Sequence, residues 1–223
     1  MSLFFHYNTI VRSESLVVGF DIFNLKVIDA KGIDMDVKGE AILSLPIFIL
    51  KNFGQRAYDR WFDALSPEAQ GIFCSPIDKN EWFPLGQAIS NPTIKICELF
   101  YNGSLKGAYD CGRFSAEYGL KGVYKVLVKL SSPEVLVKKA GGILTKYYRP
   151  SALSVIEHGK GYGILHLTEF PECDKYIEQR IAGWIARAVE ICGVIHVNVA
   201  ITKSLAKSDP YTEFRITWKT KAL

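Results

Sequence analysis

The chain has 223 residues, 48% hydrophobic and 22% charged, with a formal net charge of +4. That composition suits one domain with a sizeable core, argues against global disorder, and carries too little charge to imply a nucleic-acid partner. Five cysteines, at 74, 97, 111, 173 and 192, contain no C-x-x-C pair, which argues against a disulfide framework and a structural zinc site and suits thiols in a reducing compartment.

Residues 1–36 are the least regular. Leu16-Val-Val-Gly-Phe and Leu25-Lys-Val-Ile read as short strands. Met35 is the one methionine besides Met1, so the segment is either a strand-bearing extension of uncertain status or precedes a natural start. The opening Met1-Ser-Leu-Phe-Phe-His-Tyr has no basic region and no long apolar region, unlike a secretory signal. The longest strongly apolar uncharged run, Ala41 to Leu50, is broken by Pro46 and falls short of the ~20 residues that span a bilayer. A soluble, cytoplasmic protein is expected.

From residue 37 a single α+β domain is expected, helical over 37–149 and sheet-forming over 150–223. Ser44 to Phe53 ends at Gly54, a helix stop. Tyr58, Trp61, Phe62 and Leu65 share an amphipathic helix face. Ser66-Pro67-Glu68 caps a further helix, and the same signature recurs at Ser132-Pro133-Glu134. Asn80 to Pro84 reads as a break, followed by a helix from about Leu85 to Tyr101. Ser104 to Leu130 reads as one long helix bearing small residues on one face: Ala108, Gly112, Ser115, Gly119 and Gly122. Each internal glycine costs about 1 kcal/mol against alanine, so the stripe implies close approach, either of another backbone or of a flat ligand. The helix from Ser132 runs toward Tyr148, with a kink expected at Gly141-Gly142 and a stop at Arg149-Pro150.

The last third changes period. Ala152 to Glu157 and Tyr162 to Phe170 read as strands joined at His158-Gly-Lys-Gly161. Cys173 to Cys192 reads as a helix with Ile177, Ile181, Trp184, Ile185, Ala188 and Ile191 on one face. Val194 to Thr202 and Thr212 to Lys219 alternate, with Phe214, Ile216 and Trp218 inward and Glu213, Arg215, Thr217 and Lys219 outward. The result is a β-β-α-β-β antiparallel unit with one buried and one polar face.

Little chemistry is written in the motifs. The histidines, His6, His158, His166 and His196, include no i, i+4 pair, although His166 and His196 lie on expected strands and could meet across the sheet. Gly-x-Ser-x-Gly is absent. Cys111 in Asp110-Cys-Gly-Arg113 is a packing residue or a thiol activated by its arginine. Gly159-Lys-Gly161-x-Gly163 joins two strands instead of opening a helix, so it reads as a hairpin and not a phosphate loop. Lys121, Lys125 and Lys129 read as a solvated helix face. Tyr109, Phe114, Tyr118, Tyr124, Tyr147, Tyr148 and Trp184 supply aromatic walls, for a core or for a pocket.

The order of features resembles a known superfamily. Asp209-Pro-Tyr-Thr-Glu-Phe-Arg-Ile-Thr-Trp218 is similar to the closing strand of 4-vinyl reductase domains, with Ser208 in place of a glycine and no cysteine near Thr212 and Glu213. Gln179-Arg-Ile-Ala-Gly183-Trp and Gly112-Arg113 also look like that group. Trp82-x-Pro84, Gly112-Arg113, Ser132-Pro133 and the terminal Phe-x-Ile-x-Trp resemble an uncharacterised bacterial family of the same fold. The superfamily includes heme-based nitric-oxide sensors and Golgi transport-particle subunits, and the resemblance spans roughly residues 37–219. It implies a ligand-binding α+β fold, often dimeric. The heme sensors use a helical histidine and a Tyr-x-Ser-x-Arg motif; Tyr147-Tyr-Arg-Pro-Ser151 does not match, so heme is not expected, nor is zinc.

The expected protein is a non-catalytic sensor or binding module, homodimeric, holding an apolar or aromatic ligand between the glycine-striped helix and the sheet. Its expected ligand-binding residues are Cys111, Gly112, Arg113, Ser115, Tyr118, Gly119, Tyr148, His166 and Trp184. The alternatives are a ligand-free interaction subunit and an enzyme using Cys111 or a histidine pair.

Overall fold

A computed structural model gives the architecture. It describes residues 34–120 and 132–220, together with strand segments at 11–13, 16–18 and 28–29. The chain divides into two compact units, Met1–Asp34 and Met35–Leu223. In the first, β1 (Val11–Ser13), β2 (Leu16–Val18) and β3 (Ile28–Asp29) pair antiparallel in that order.

The second unit begins with β4 (Asp36–Lys38), α1 (Gly39–Ile42), α2 (Ser44–Phe53), α3 (Gln55–Asp63) and α4 (Pro67–Phe73). Gly54, at φ 82, separates α2 from α3 as its position predicts. The Ser66 hydroxyl accepts from the Ala69 amide at 3.3 Å, confirming the cap of α4. Trp61 is fully buried and its indole Nε1 donates to the Pro92 carbonyl at 3.1 Å, so its polar edge is satisfied inside the core.

The Asn80–Pro84 break instead contains β5 (Trp82–Pro84). Together with β6 (Tyr148–Arg149) it sandwiches β4 in a small sheet, pairing Val37 with both Phe83 and Tyr148. The helix expected from Leu85 starts as a π-helical turn, Gly86–Ser90, and continues as α5 (Asn91–Phe100). Helix α6 (Lys106–Gly119) is the described part of the long helix; residues 121–131, including Gly122 and Tyr124, lie outside the described residues.

Ser132 caps α7 (Pro133–Lys138), its hydroxyl accepting from the Val135 amide at 3.4 Å. The break to α8 (Ala140–Leu144) falls at Lys139 and not at the glycine pair. Gly141 has a different role: a Cβ there would overlap the Leu153 carbonyl oxygen, so glycine lets α8 lie directly on β7.

The final third follows the expected order: β7 (Ala152–Gly159), β8 (Tyr162–Glu169), α9 (Lys175–Ile191), β9 (Ile195–Lys203) and β10 (Thr212–Lys219). The strands form an antiparallel sheet ordered β7-β8-β10-β9. Leu165, Leu167, Phe214, Ile216 and Trp218 are buried on its inner face, where α9 packs. Asp174 caps α9, accepting from the Tyr176 and Ile177 amides at 2.7 Å each. Ser208, in the glycine position of the 4-vinyl reductase pattern, has φ 67, a left-handed conformation that glycine favours. Asp209 then accepts from the Ser204 amide at 2.7 Å, so the Asp-Pro pair locks a turn. Glu213 faces outward as expected yet is buried there, with its carboxylate held by Thr202, His166 and Arg215.

Candidate functional site

The small-residue face of α6 meets α9 along its first half. A Cβ on Gly112 would overlap the Arg180 carbonyl oxygen, and one on Gly183 would overlap the Tyr109 carbonyl oxygen. Backbone therefore lies against backbone, and Ala108 is fully buried. Toward the C-terminal end of α6 the contact gives way. Gly119 is exposed, and a Cβ on it would meet nothing within 4 Å among the described residues.

A pocket of about 80 Å³ opens there. Gly112, Ser115, Gly119 and Leu120 form one wall, and Arg180, Ile181, Trp184 and Ile185 of α9 form the facing wall. Ala140, Ile143 and Leu144 of α8, with Tyr147, Tyr148 and Leu153, close a third side, and Glu40 and Ala41 of α1 the fourth. Most of the lining is apolar. Pockets for drug-sized ligands hold roughly 300–1,000 Å³, so this form admits a small ligand, and a larger one requires a wall to move outward.

One polar side chain stands out. Arg180 is 3% exposed, yet its Nη1 has no hydrogen-bond partner. Its Nη2 donates only a long bond, 3.4 Å, to the Ala41 carbonyl. Among the described residues no carboxylate oxygen lies within 4.0 Å of this guanidinium. Glu178, also buried, is satisfied elsewhere by the Ser204 and Thr212 hydroxyls. Sequence reasoning missed Arg180. The available signal was its spacing, three residues after Ile177 and four before Trp184, which places a cation on the apolar face of α9.

Of the nine expected site residues, Gly112, Ser115, Gly119, Tyr148 and Trp184 line this pocket, and the other four do not. Cys111 is buried in the core, and burial pushes its thiol up to about 12; the cation that moderates the shift is Arg180, not Arg113. A thiol so placed is protonated near neutral pH and is no nucleophile. Arg113 makes a two-pronged ion pair with Glu190, at 2.8 and 2.9 Å, fastening α6 to the end of α9. Tyr118 stacks on Phe114, with centroids 6.5 Å apart. His166 lies on the outer face of the sheet, 2.8 Å from Glu213 and stacked on Tyr211 at 3.9 Å. His166 and His196 do not meet: β10 lies between their strands, with His166 opposite Glu213 at one end and Ile195 opposite Lys219 at the other. Among the described residues no group of three or more His, Cys, Asp or Glu is placed to hold a metal ion.

The fold has clear structural likenesses. No family model and no curated protein matches the chain. The H-NOX protein from S. oneidensis in the Fe(II)NO ligation state matches with a TM-score of 0.64 at 9% identity, over 82% of this chain and 99% of that one. The Fe(II) unliganded H-NOX protein from K. algicida matches with a TM-score of 0.61 at 8% identity, over 83% and 98%. An H-NOX domain from Shewanella oneidensis in the Fe(II)CO ligation state matches with a TM-score of 0.60 at 10% identity, over 82% and 99%. The chain thus has an H-NOX-like α+β fold.

The expectation against heme is corrected by these neighbours, because H-NOX domains are heme-binding domains. It rested on side-chain motifs, whereas the likeness to these proteins lies in the backbone fold. At about 80 Å³ the pocket must widen before it takes such a group, and the iron ligands its lining could offer are oxygen donors. His158, His166 and His196 are not among the lining residues, and 121–131 contains no histidine. Tyr147 and Tyr148 do line the pocket, and tyrosine is an established heme-iron ligand. Arg180 offers a cation to acidic substituents.

Proposed function

We propose that the second unit is a non-catalytic sensor module that holds an apolar or aromatic ligand in the pocket between α6, α8 and α9. The observation that carries this reading is the open end of the stripe: Ser115 and Gly119 line an unfilled space whose other lining is mostly apolar, and among the described residues no atom packs on Gly119. The fold shared with H-NOX proteins supports it. Heme belongs among the candidate ligands; held by Tyr147 or Tyr148, it would supply an iron that binds a small gas. The module acts as a cytoplasmic homodimer in signalling, and its sequence relationship to 4-vinyl reductase domains is part of the same proposal. No helix among the described residues is long and apolar enough to cross a membrane.

Native mass spectrometry of the purified protein, with an absorption spectrum of the same sample, tests this reading. It predicts a dimer carrying extra mass that denaturation releases, with a Soret band if that mass is heme. A bare chain that takes up no apolar compound would refute it.

A ligand-free interaction subunit is the second reading. It is favoured by apolar side chains left in solvent, Ile156 at 54% on the edge strand β7 and Val135 at 41% on α7. It predicts an interface above roughly 1,000 Å² covering them.

A further inference from the structure

Arg180 is the one feature of the pocket that apolar packing does not explain. A guanidinium stays protonated at any physiological pH, so this side chain cannot shed its charge to suit its surroundings. Burying a cation without an anion is costly, and buried charges are ordinarily paired. Here Nη1 is shielded from solvent and has no hydrogen-bond partner, while Nη2 has a single long bond to a carbonyl. Glu40, the one acidic residue in the lining, is exposed and does not pair with Arg180. Residues 121–131, which lie outside the described residues, contain no acidic residue.

We infer that the ligand of this pocket is an apolar carboxylic acid whose carboxylate is received by Arg180. This inference rests on the proposed function and narrows it to a ligand class. The apolar walls take the ring or chain, and the unused Nη1 donor takes a carboxylate oxygen. Placement in a shielded site makes that contact worth more than it would be in water. The same geometry disfavours neutral ligands of equal shape, which would leave the cation unpaired.

The test uses the full chain and two probe pairs, benzoate with benzamide and hexanoate with hexanamide, measured by isothermal titration and ligand-observed NMR. Each acid is expected to bind about tenfold or more tighter than its amide, as a hydrogen bond to a charged group would give. Arg180→Met is expected to abolish that preference while leaving the amides bound. Arg180→Lys keeps the charge, guards against a folding failure in the first variant, and is expected to retain part of the preference. Equal binding of acid and amide, or an acid preference that survives Arg180→Met, would overturn the carboxylate inference and leave the pocket reading intact. Binding of none of the four probes would overturn both.

Discussion

The two halves of α6 carry the same kind of residue at the same spacing and do opposite things. At Gly112 the missing side chain admits the backbone of α9, so the helices are locked. At Gly119, two turns further, the missing side chain admits nothing and the pocket begins. A stripe of small residues thus identifies a face that something approaches closely, but not what approaches. The partner helix decides: opposite Gly112 it presents its own backbone at Arg180 and Trp184, whereas no atom among the described residues comes within 4 Å of a Cβ at Gly119.

Four predictions probe this contrast. The largest effect belongs to Gly112→Ala, whose methyl would strike the Arg180 carbonyl and cost about 3 kcal/mol by overpacking. Equilibrium urea unfolding measures it, and a variant as stable as the parent would mean that the helices are not locked there. Second comes Glu213→Gln on the outer face of the sheet. The Thr202 hydroxyl and the His166 imidazole, followed by Arg215, hold the Glu213 carboxyl down to about 2 from an ordinary 4.5. A depressed carboxyl stabilises the fold above its unfolded pKa and loses that contribution as pH falls through the folded one. The parent should therefore lose stability between about pH 4.5 and 2, and the variant should lose less over that interval. Identical acid limbs in thermal unfolding would contradict it.

The third effect is smaller. Gly119→Phe should change unfolding free energy by less than about 1 kcal/mol, since its side chain enters open space. A loss as large as that of Gly112→Ala would erase the difference between the two halves. The smallest effect is chemical. Iodoacetamide at mild alkaline pH should label the exposed Cys74 and leave the buried Cys111 unlabelled, as peptide mass spectrometry would report. Rapid labelling of Cys111 in the folded protein would reopen a nucleophilic role.

Legibility in the sequence followed the range of the interactions involved. The closing unit could be read because strand alternation and one amphipathic helix are local patterns, and Ser66 and Ser132 could be read because a cap acts within one turn. The small sheet escaped notice because β4 pairs over only two or three residues with segments far along the chain, Val37 with Phe83 and Tyr148. Glu213 and Arg180 were misjudged or overlooked for a related reason: burial of a charged side chain depends on what lies over it. Thr202 and His166 come from neighbouring strands, and Ala41 comes from the far end of the unit. For the site, spacing identified the striped face and Trp184 but could not separate its locked end from its open end. The expectation against heme weighed motifs, whereas the likeness to heme-binding H-NOX proteins lies in the backbone fold and could not be read from them.

The central claim is that a ligand occupies the open end of the stripe. The most direct measurement is a side-by-side analysis of small molecules released on denaturing the parent and Gly119→Phe, purified identically. The account predicts a compound in stoichiometric amount from the parent and its loss from the folded variant. The same compound retained by both proteins, or none from the parent, would contradict it.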